Sequence, residues 1–194
     1  MRPLSAHKME SYKDYLMIIS PPDDVIKQIT KYKRASANKI GLFKGMHSIA
    51  HISITHQERC KPFMAEPFIL NMEKRLMSMQ PAELCITGFN YFTHGAVGFT
   101  IYAVVNAAPP NNNWFKLLRQ QMGIRVVNFV PHITVLKNIS PSLFKKVWPY
   151  FENSKYETAF KANSLTILRR DTFVDDSKWQ PYKELYFGNR LMPF

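Results

Sequence analysis

The sequence predicts a mixed domain of strands and helices in which one order of elements, strand, helix, histidine-bearing strand, helix, strand, is met twice. Three observations carry that expectation. Apolar residues switch between period 2 and period 3.6 along most of the chain, and the tetrapeptides "HISI" (51 to 54) and "HITV" (132 to 135) occupy equivalent places in the two passes. With 46% apolar and 13% aromatic residues among 194, the chain can also bury a substantial core, as one large domain or two small lobes.

After a polar lead-in over residues 1 to 12, "DYLMIIS" (14 to 20) is a short apolar, β-branched run that reads as a buried strand and stops at Pro21 and Pro22. "DDVIKQITKYKRA" (23 to 35) spaces Ile26, Ile29 and Tyr32 as a helix with an Asp-rich first turn and a basic outer face. "HSIAHISIT" (47 to 55) alternates with period 2 and reads as a strand. Behind Pro67, which suits a first helical turn, Phe68 or Ile69, Met72, Leu76 and Met79 recur at helical intervals. "ELCITGFNYF" (83 to 92) and "GAVGFTIYAVV" (95 to 105) then form a hairpin across residues 93 to 95.

The second pass has the same order. "NNNWFKLLRQQMG" (111 to 123) offers an Asn cap, an apolar stripe at 114, 117, 118 and 122, and a terminating Gly123. "RVVNFVPHITVLKNI" (125 to 139) reads as a strand, and "SPSLFKKVWPYF" (140 to 151) as a helix capped by Ser140 with Pro141 in its first turn. "NSLTILRR" (163 to 170) and "KELYFG" (183 to 188) close the chain as strands. The two passes cover roughly 13 to 92 and 95 to 190 of a single domain, and a duplication explains them economically.

Charge points to the partner. Twenty-six Lys and Arg against 14 Asp and Glu leave a formal charge of +12, which suits a polyanion such as nucleic acid, a nucleotide or an anionic surface. Cys60 and Cys85 have no CxxC or Cys/His ladder near them, so neither a disulfide framework nor a structural zinc site is expected. No leader-like segment and no apolar run near the ~18 residues of a membrane span is visible, so a soluble cytoplasmic monomer is the expectation.

In both tetrapeptides the pattern is histidine, apolar, hydroxyl residue, apolar. On a strand this sends His51 and Ser53 to one face with Ile52 and Ile54 to the other, and His132 and Thr134 likewise opposite Ile133 and Val135. A single such histidine is ordinarily structural. From ordinary residue frequencies, however, six histidines yield only about 0.1 such tetrapeptides by chance, so two at matched places call for another explanation.

On these residues the chain resembles the 2H phosphoesterase superfamily, which is named for two His-x-Thr/Ser-x motifs, and especially its RNA 2′,3′-cyclic phosphodiesterase or 2′-5′ RNA ligase-like branch. The 81-residue separation of His51 from His132 and the repeat order match over roughly residues 12 to 190. The resemblance implies a bilobal α+β fold with pseudo-twofold symmetry, two antiparallel sheets flanked by helices around a central cleft, and chemistry on cyclic or 2′-linked phosphodiesters without metal or other cofactor. The expected substrate is an RNA end, a small nucleotide such as an ADP-ribose cyclic phosphate or 2′-5′ oligoadenylate being the alternative. A third reading is a binding module without turnover.

The residue chemistry agrees. Imidazole serves as acid or base near neutrality, so His51 and His132 are the candidate acid/base pair, while Ser53 and Thr134 are candidate phosphate donors. Members of the RNA-directed branch often carry a basic residue five positions after the second motif histidine. Lys137 stands there, but strict alternation puts it on the opposite face, so it needs a bulge, twist or strand end to reach phosphate. His56 is its counterpart after the first motif, where the family usually has an apolar residue. "KYKRASANKIGLFKG" (31 to 45) interleaves basic and aromatic residues as single-stranded RNA would require, making Lys39, Phe43 and Lys44 further candidate contacts. His47 could join His51 at a metal only if the stretch were helical, and the isoleucines at 49, 52 and 54 favour strand. His94, in the hairpin turn, is expected to be solvent-exposed.

Overall fold

The first apolar run forms β1 (Lys13–Ile19) in the computed structural model, which describes residues 11–95, 98–124 and 129–188. Period 2 sends Tyr15, Met17 and Ile19 into the core, where all three are buried. Then α1 (Asp23–Ile40) starts with Asp23 and Asp24 in its first turn and ends with Lys39 in its last. It runs past the expected end at 35, because nothing breaks it before Gly41, whose φ of 79° only glycine adopts freely. The basic outer face is also incomplete, for Lys33 and Ser36 point inward and are buried.

The strand expected over 47 to 55 is in fact β2 (Ile52–Cys60). Residues 43 to 48 fold as turns instead, with the Met46 N–H donating to the Phe43 carbonyl and the Ser48 N–H to the Gly45 carbonyl. Gly45 at φ 84° makes that turn accessible, and Ile49 is left 72% exposed. At its far end β2 continues to Cys60 because β1 supplies partners as far as Lys13.

The next helix, α2 (Pro62–Leu76), begins at Pro62 rather than at Pro67, which lies inside it and leaves one helical carbonyl without its usual donor. Ala65, Ile69, Met72 and Leu76 form its buried stripe, and Met79 packs beyond its end. The hairpin follows as β3 (Ala82–Thr93) and β4 (Phe99–Ala107), then α3 (Trp114–Gln121), whose Asn113 cap makes no side-chain hydrogen bond. The strand expected over 125 to 139 is described as β5 (His132–Ile139), residues 125 to 128 lying outside the described residues. In α4 (Pro141–Glu152) the Ser140 Oγ accepts the Leu143 N–H at 3.4 Å, as a capping serine should. A strand not anticipated, β6 (Glu157–Ala162), comes next, followed by β7 (Ser164–Asp171) and β8 (Gln180–Tyr186).

These eight strands join one antiparallel sheet in the order β6-β3-β4-β5-β2-β1-β7-β8. The two expected sheets are its four-stranded halves, meeting edge to edge through the pair Ile52↔Ile133. Exchange of the halves maps β2 onto β5, β1 onto β4, β7 onto β3 and β8 onto β6. The halves of the sheet are not the halves of the chain, because β3 joins the second motif's half while β7 and β8 return to the first. The helices cover one face: α1 packs on β5 and α4, α4 on β3 and β4, and α2 on β8 and α3. Ile52 and Ile133, both fully buried, belong to the continuous core on that face, so the motif histidines and hydroxyls belong to the other.

Ile133 therefore holds both the core and the junction between half-sheets. Ile133→Ala should lower the unfolding free energy by about 2–5 kcal/mol, measured as a shift of the urea midpoint at unchanged slope.

Candidate active site

The junction places the two motifs against each other. Continuing the antiparallel register one step to either side of Ile52↔Ile133 sets His51 opposite Thr134 and Ser53 opposite His132. The histidines thus occupy one diagonal of a four-residue group and the hydroxyls the other.

Each imidazole is held in the same way. His51 Nδ1 lies 2.8 Å from the Ile49 carbonyl oxygen, and His132 Nδ1 lies 2.8 Å from the Val130 carbonyl oxygen. A carbonyl only accepts, so each Nδ1 carries the proton and each neutral ring keeps its lone pair on Nε2. Both rings are half-buried, and burial pushes both pKa values below 6.5 against the opposing pull of those carbonyls. The charges of Lys33, His132 and Lys137 depress His51 further. Among the described residues no carboxylate shifts either ring, so the group is electrostatically suited to an anion.

Lys137 reaches this setting through a bulge. Ile101 pairs with Leu136 while Tyr102 pairs with Thr134, so Val135 is an extra residue in β5, and Val135 and Leu136 are both buried. Alternation resumes out of phase, which turns Lys137 to the face of Thr134. It borders a cavity of about 370 Å³ with His94, Thr100 and Asn138. His94, exposed in the turn as expected, also bonds through Nε2 to Thr100 Oγ1 at 2.9 Å, and the same oxygen accepts the Asn138 N–H at 3.1 Å.

Strand β2 carries the matching bulge. Met17 pairs with Thr55 but Ile18 with Ser53, so Ile54 is the extra residue and His56 returns to the face of Ser53. His56 contacts the Trp179 ring edge-on at a centroid distance of 5.4 Å, with its Nδ1 3.4 Å from Glu58 Oε1. The Arg170 guanidinium lies over the same tryptophan at 4.6 Å and its Nε donates to Asp14 Oδ2 at 2.9 Å.

Lys39 lies over the Tyr150 ring at 4.7 Å, Phe43 is half-buried against the core, and Lys44 is exposed in the turn. His47 is in that turn, outside any helix, so the helical spacing a metal pair with His51 requires is not present. A cavity of about 840 Å³ opens among Asn106, Phe115, Arg119, Phe129 and Pro131, the residue before His132, but no motif side chain lines it; the convergence of the motifs, rather than volume, marks the candidate site.

Sequence reasoning misses two sets of neighbours. Phe92 and Tyr102 are stacked at 4.2 Å and both flank His132, each at 5.1 Å. Hairpin register is the signal for them, since Tyr102 pairs with Thr134 and so lies diagonal to His132. Lys33 reads in the sequence as one more lysine of a basic helix face, and its interior partners carry no local signal.

A folded, two-motif chain with this site has the form of a phosphoester-directed protein. The family model of the 2′-5′ RNA ligase superfamily matches residues 21–172. The chain belongs to that superfamily. Its fold is similar to that of E. coli LigT in apo form, at 12% identity and a TM-score of 0.65 over 91% of this chain and 98% of that one. It is also similar to TT0787 of Thermus thermophilus, at 15% identity and a TM-score of 0.59 over 90% and 98%. No curated protein matches the sequence.

NMR of the histidine nitrogens should find both rings in the Nδ1–H form when neutral, with both titration midpoints below 6.5. An Nε2–H signature for either ring contradicts the hydrogen bonds described.

Proposed function

We propose that the protein is a metal-independent phosphodiesterase that opens RNA 2′,3′-cyclic phosphate ends to a 2′-phosphate, with reversible 2′-5′ ligation as the same displacement made by an RNA 5′-hydroxyl in place of water. The observation that carries this reading is the diagonal arrangement of two identically held imidazoles, with Ser53 and Thr134 on the other diagonal. Displacement at phosphorus needs a base beside the incoming oxygen and an acid beside the departing one, on opposite sides of the phosphorus. The equatorial oxygens, which gain charge, face outward between them.

The step balances with these groups alone. One neutral imidazole takes a proton through Nε2 from water as its oxygen bonds to phosphorus. The bond from phosphorus to the ribose 3′-oxygen breaks, and the other imidazole, protonated, gives that oxygen its proton. A 2′-phosphate and a 3′-hydroxyl remain. Ser53 and Thr134 donate to the non-bridging oxygens, and Lys137, turned to their face by the bulge, adds charge where negative charge develops.

Turnover of a short RNA ending in a 2′,3′-cyclic phosphate, assayed in EDTA with identification of the product end, tests the reading. Wild type should yield a 2′-phosphate, His51→Ala and His132→Ala should each lose about 10²–10⁴-fold in kcat, and Thr134→Ala about 10²-fold. Intact RNA alongside consumption of a 2′,3′-cyclic mononucleotide would transfer the reading to a small nucleotide. Salt-sensitive RNA binding without either reaction would make the chain a binding module.

The pH profile has a definite sign. The base must be neutral and the acid charged, and both pKa values lie below 6.5 in the free protein, so the bell of kcat/KM should be centred on the acid side of 6.5. A bound phosphate anion favours both imidazolium forms, so the kcat bell should lie at higher pH than that of kcat/KM.

A further inference from the structure

Lys33 is 2% exposed, yet its hydrogen-bond partners are all neutral oxygens. Its Nζ donates to the Gly45 carbonyl at 3.1 Å, the Ser48 carbonyl at 2.7 Å and the Ser48 Oγ at 2.9 Å. Among the described residues no carboxylate pairs with it, and burial lowers its pKa to about 8. Removing an ammonium from water without a counter-ion is expensive, so its position calls for a compensating role.

The three acceptors supply one. They lie in the turn over residues 43 to 48, which Ser48 closes by donating its Oγ to the Gly45 carbonyl at 2.6 Å. The next residue is Ile49, whose carbonyl orients His51, and Ile49 itself is 72% exposed, so packing of its side chain does not anchor it. Lys33 on α1 is therefore the interior tether for the segment that holds one imidazole. Among the described residues, the charged and titratable groups acting on His51 are Lys33 from α1 and His132 and Lys137 from β5, whereas His132 is shifted by burial and by the Val130 carbonyl, with no described lysine or arginine acting on it.

We propose that Lys33 is a positioning residue: its buried ammonium clamps the turn that carries the Ile49 carbonyl, and its unopposed charge keeps His51 as the neutral, proton-accepting member of the pair, leaving His132 to donate. The division of proton roles rests on the phosphodiesterase reading; the effect of Lys33 on His51 does not. The pseudo-twofold symmetry of the motifs is thereby broken from outside them, by a residue without a counterpart among the described lysines and arginines acting on His132.

Imidazole titrations followed by NMR on the full chain without substrate provide the test. In wild type His51 should titrate below His132. Lys33→Met should raise the His51 midpoint by about half a unit or more while leaving His132 in place, and Lys33→Arg, which keeps the charge, should hold it low. In the RNA assay the acid limb of kcat/KM should rise with His51 in Lys33→Met. A wild-type His132 midpoint below that of His51, or an unmoved His51 in Lys33→Met, overturns the proposal; a merely structural lysine would lower stability without moving that midpoint. Should Lys33→Met fail to fold, Lys33→Gln, which retains donors for the turn and removes the charge, serves the same comparison. Shifted titrations without RNA turnover would count against the phosphodiesterase reading and leave the tether standing.

Discussion

The pairing of β2 with β5 at Ile52 and Ile133 is the contact on which the rest depends. Among the described residues it is the only ladder step between the half-sheets, yet it makes one eight-stranded sheet from two four-stranded ones and aligns the motifs. Because side chains alternate, burial of both isoleucines on the helix-covered face commits the flanking histidines and hydroxyls to the open face. Core packing and site assembly are thus one event. A one-residue slip would bury the imidazoles and expose the isoleucines, so the hydrophobic cost of the wrong register protects the chemistry.

Strand exchange reinforces this. With β3 in the second motif's half-sheet and β7 and β8 in the first, neither half of the chain can complete its own sheet. The helices repeat the arrangement, since α1 packs on β5 and α4 rather than on elements of its own pass alone. The site at the junction therefore forms only when the whole chain has folded, which gives a cleft built from two half-sheets the rigidity of a single core.

The site is symmetric in its backbone and asymmetric in its surroundings. Bulges at Ile54 and Val135 re-aim the residue five positions after each histidine, yet one delivers a lysine and the other a histidine against Trp179. His132 is flanked by the Phe92 and Tyr102 rings, whereas His51 senses the buried ammonium of Lys33. Two imidazoles with identical hydrogen bonds can thus differ in proton affinity, as the proposed acid/base pair requires.

The sequence by itself determined the motif strands, the face each motif residue takes, the order of elements apart from β6, and the family, because all follow from local periodicity and from the residue types in two tetrapeptides. Boundaries were less legible: Gly45 and the turn that follows it displaced the start of β2, and Pro67 was accommodated inside a helix that Pro62 begins. What only the tertiary structure decided was register and depth. The bulges that turn Lys137 and His56 exist as pairings between strands far apart in sequence, and the burial of Lys33 depends on where a distant turn places its carbonyls. Periodicity describes one strand or helix at a time, and an extra residue or a buried charge is defined by its partner across the fold.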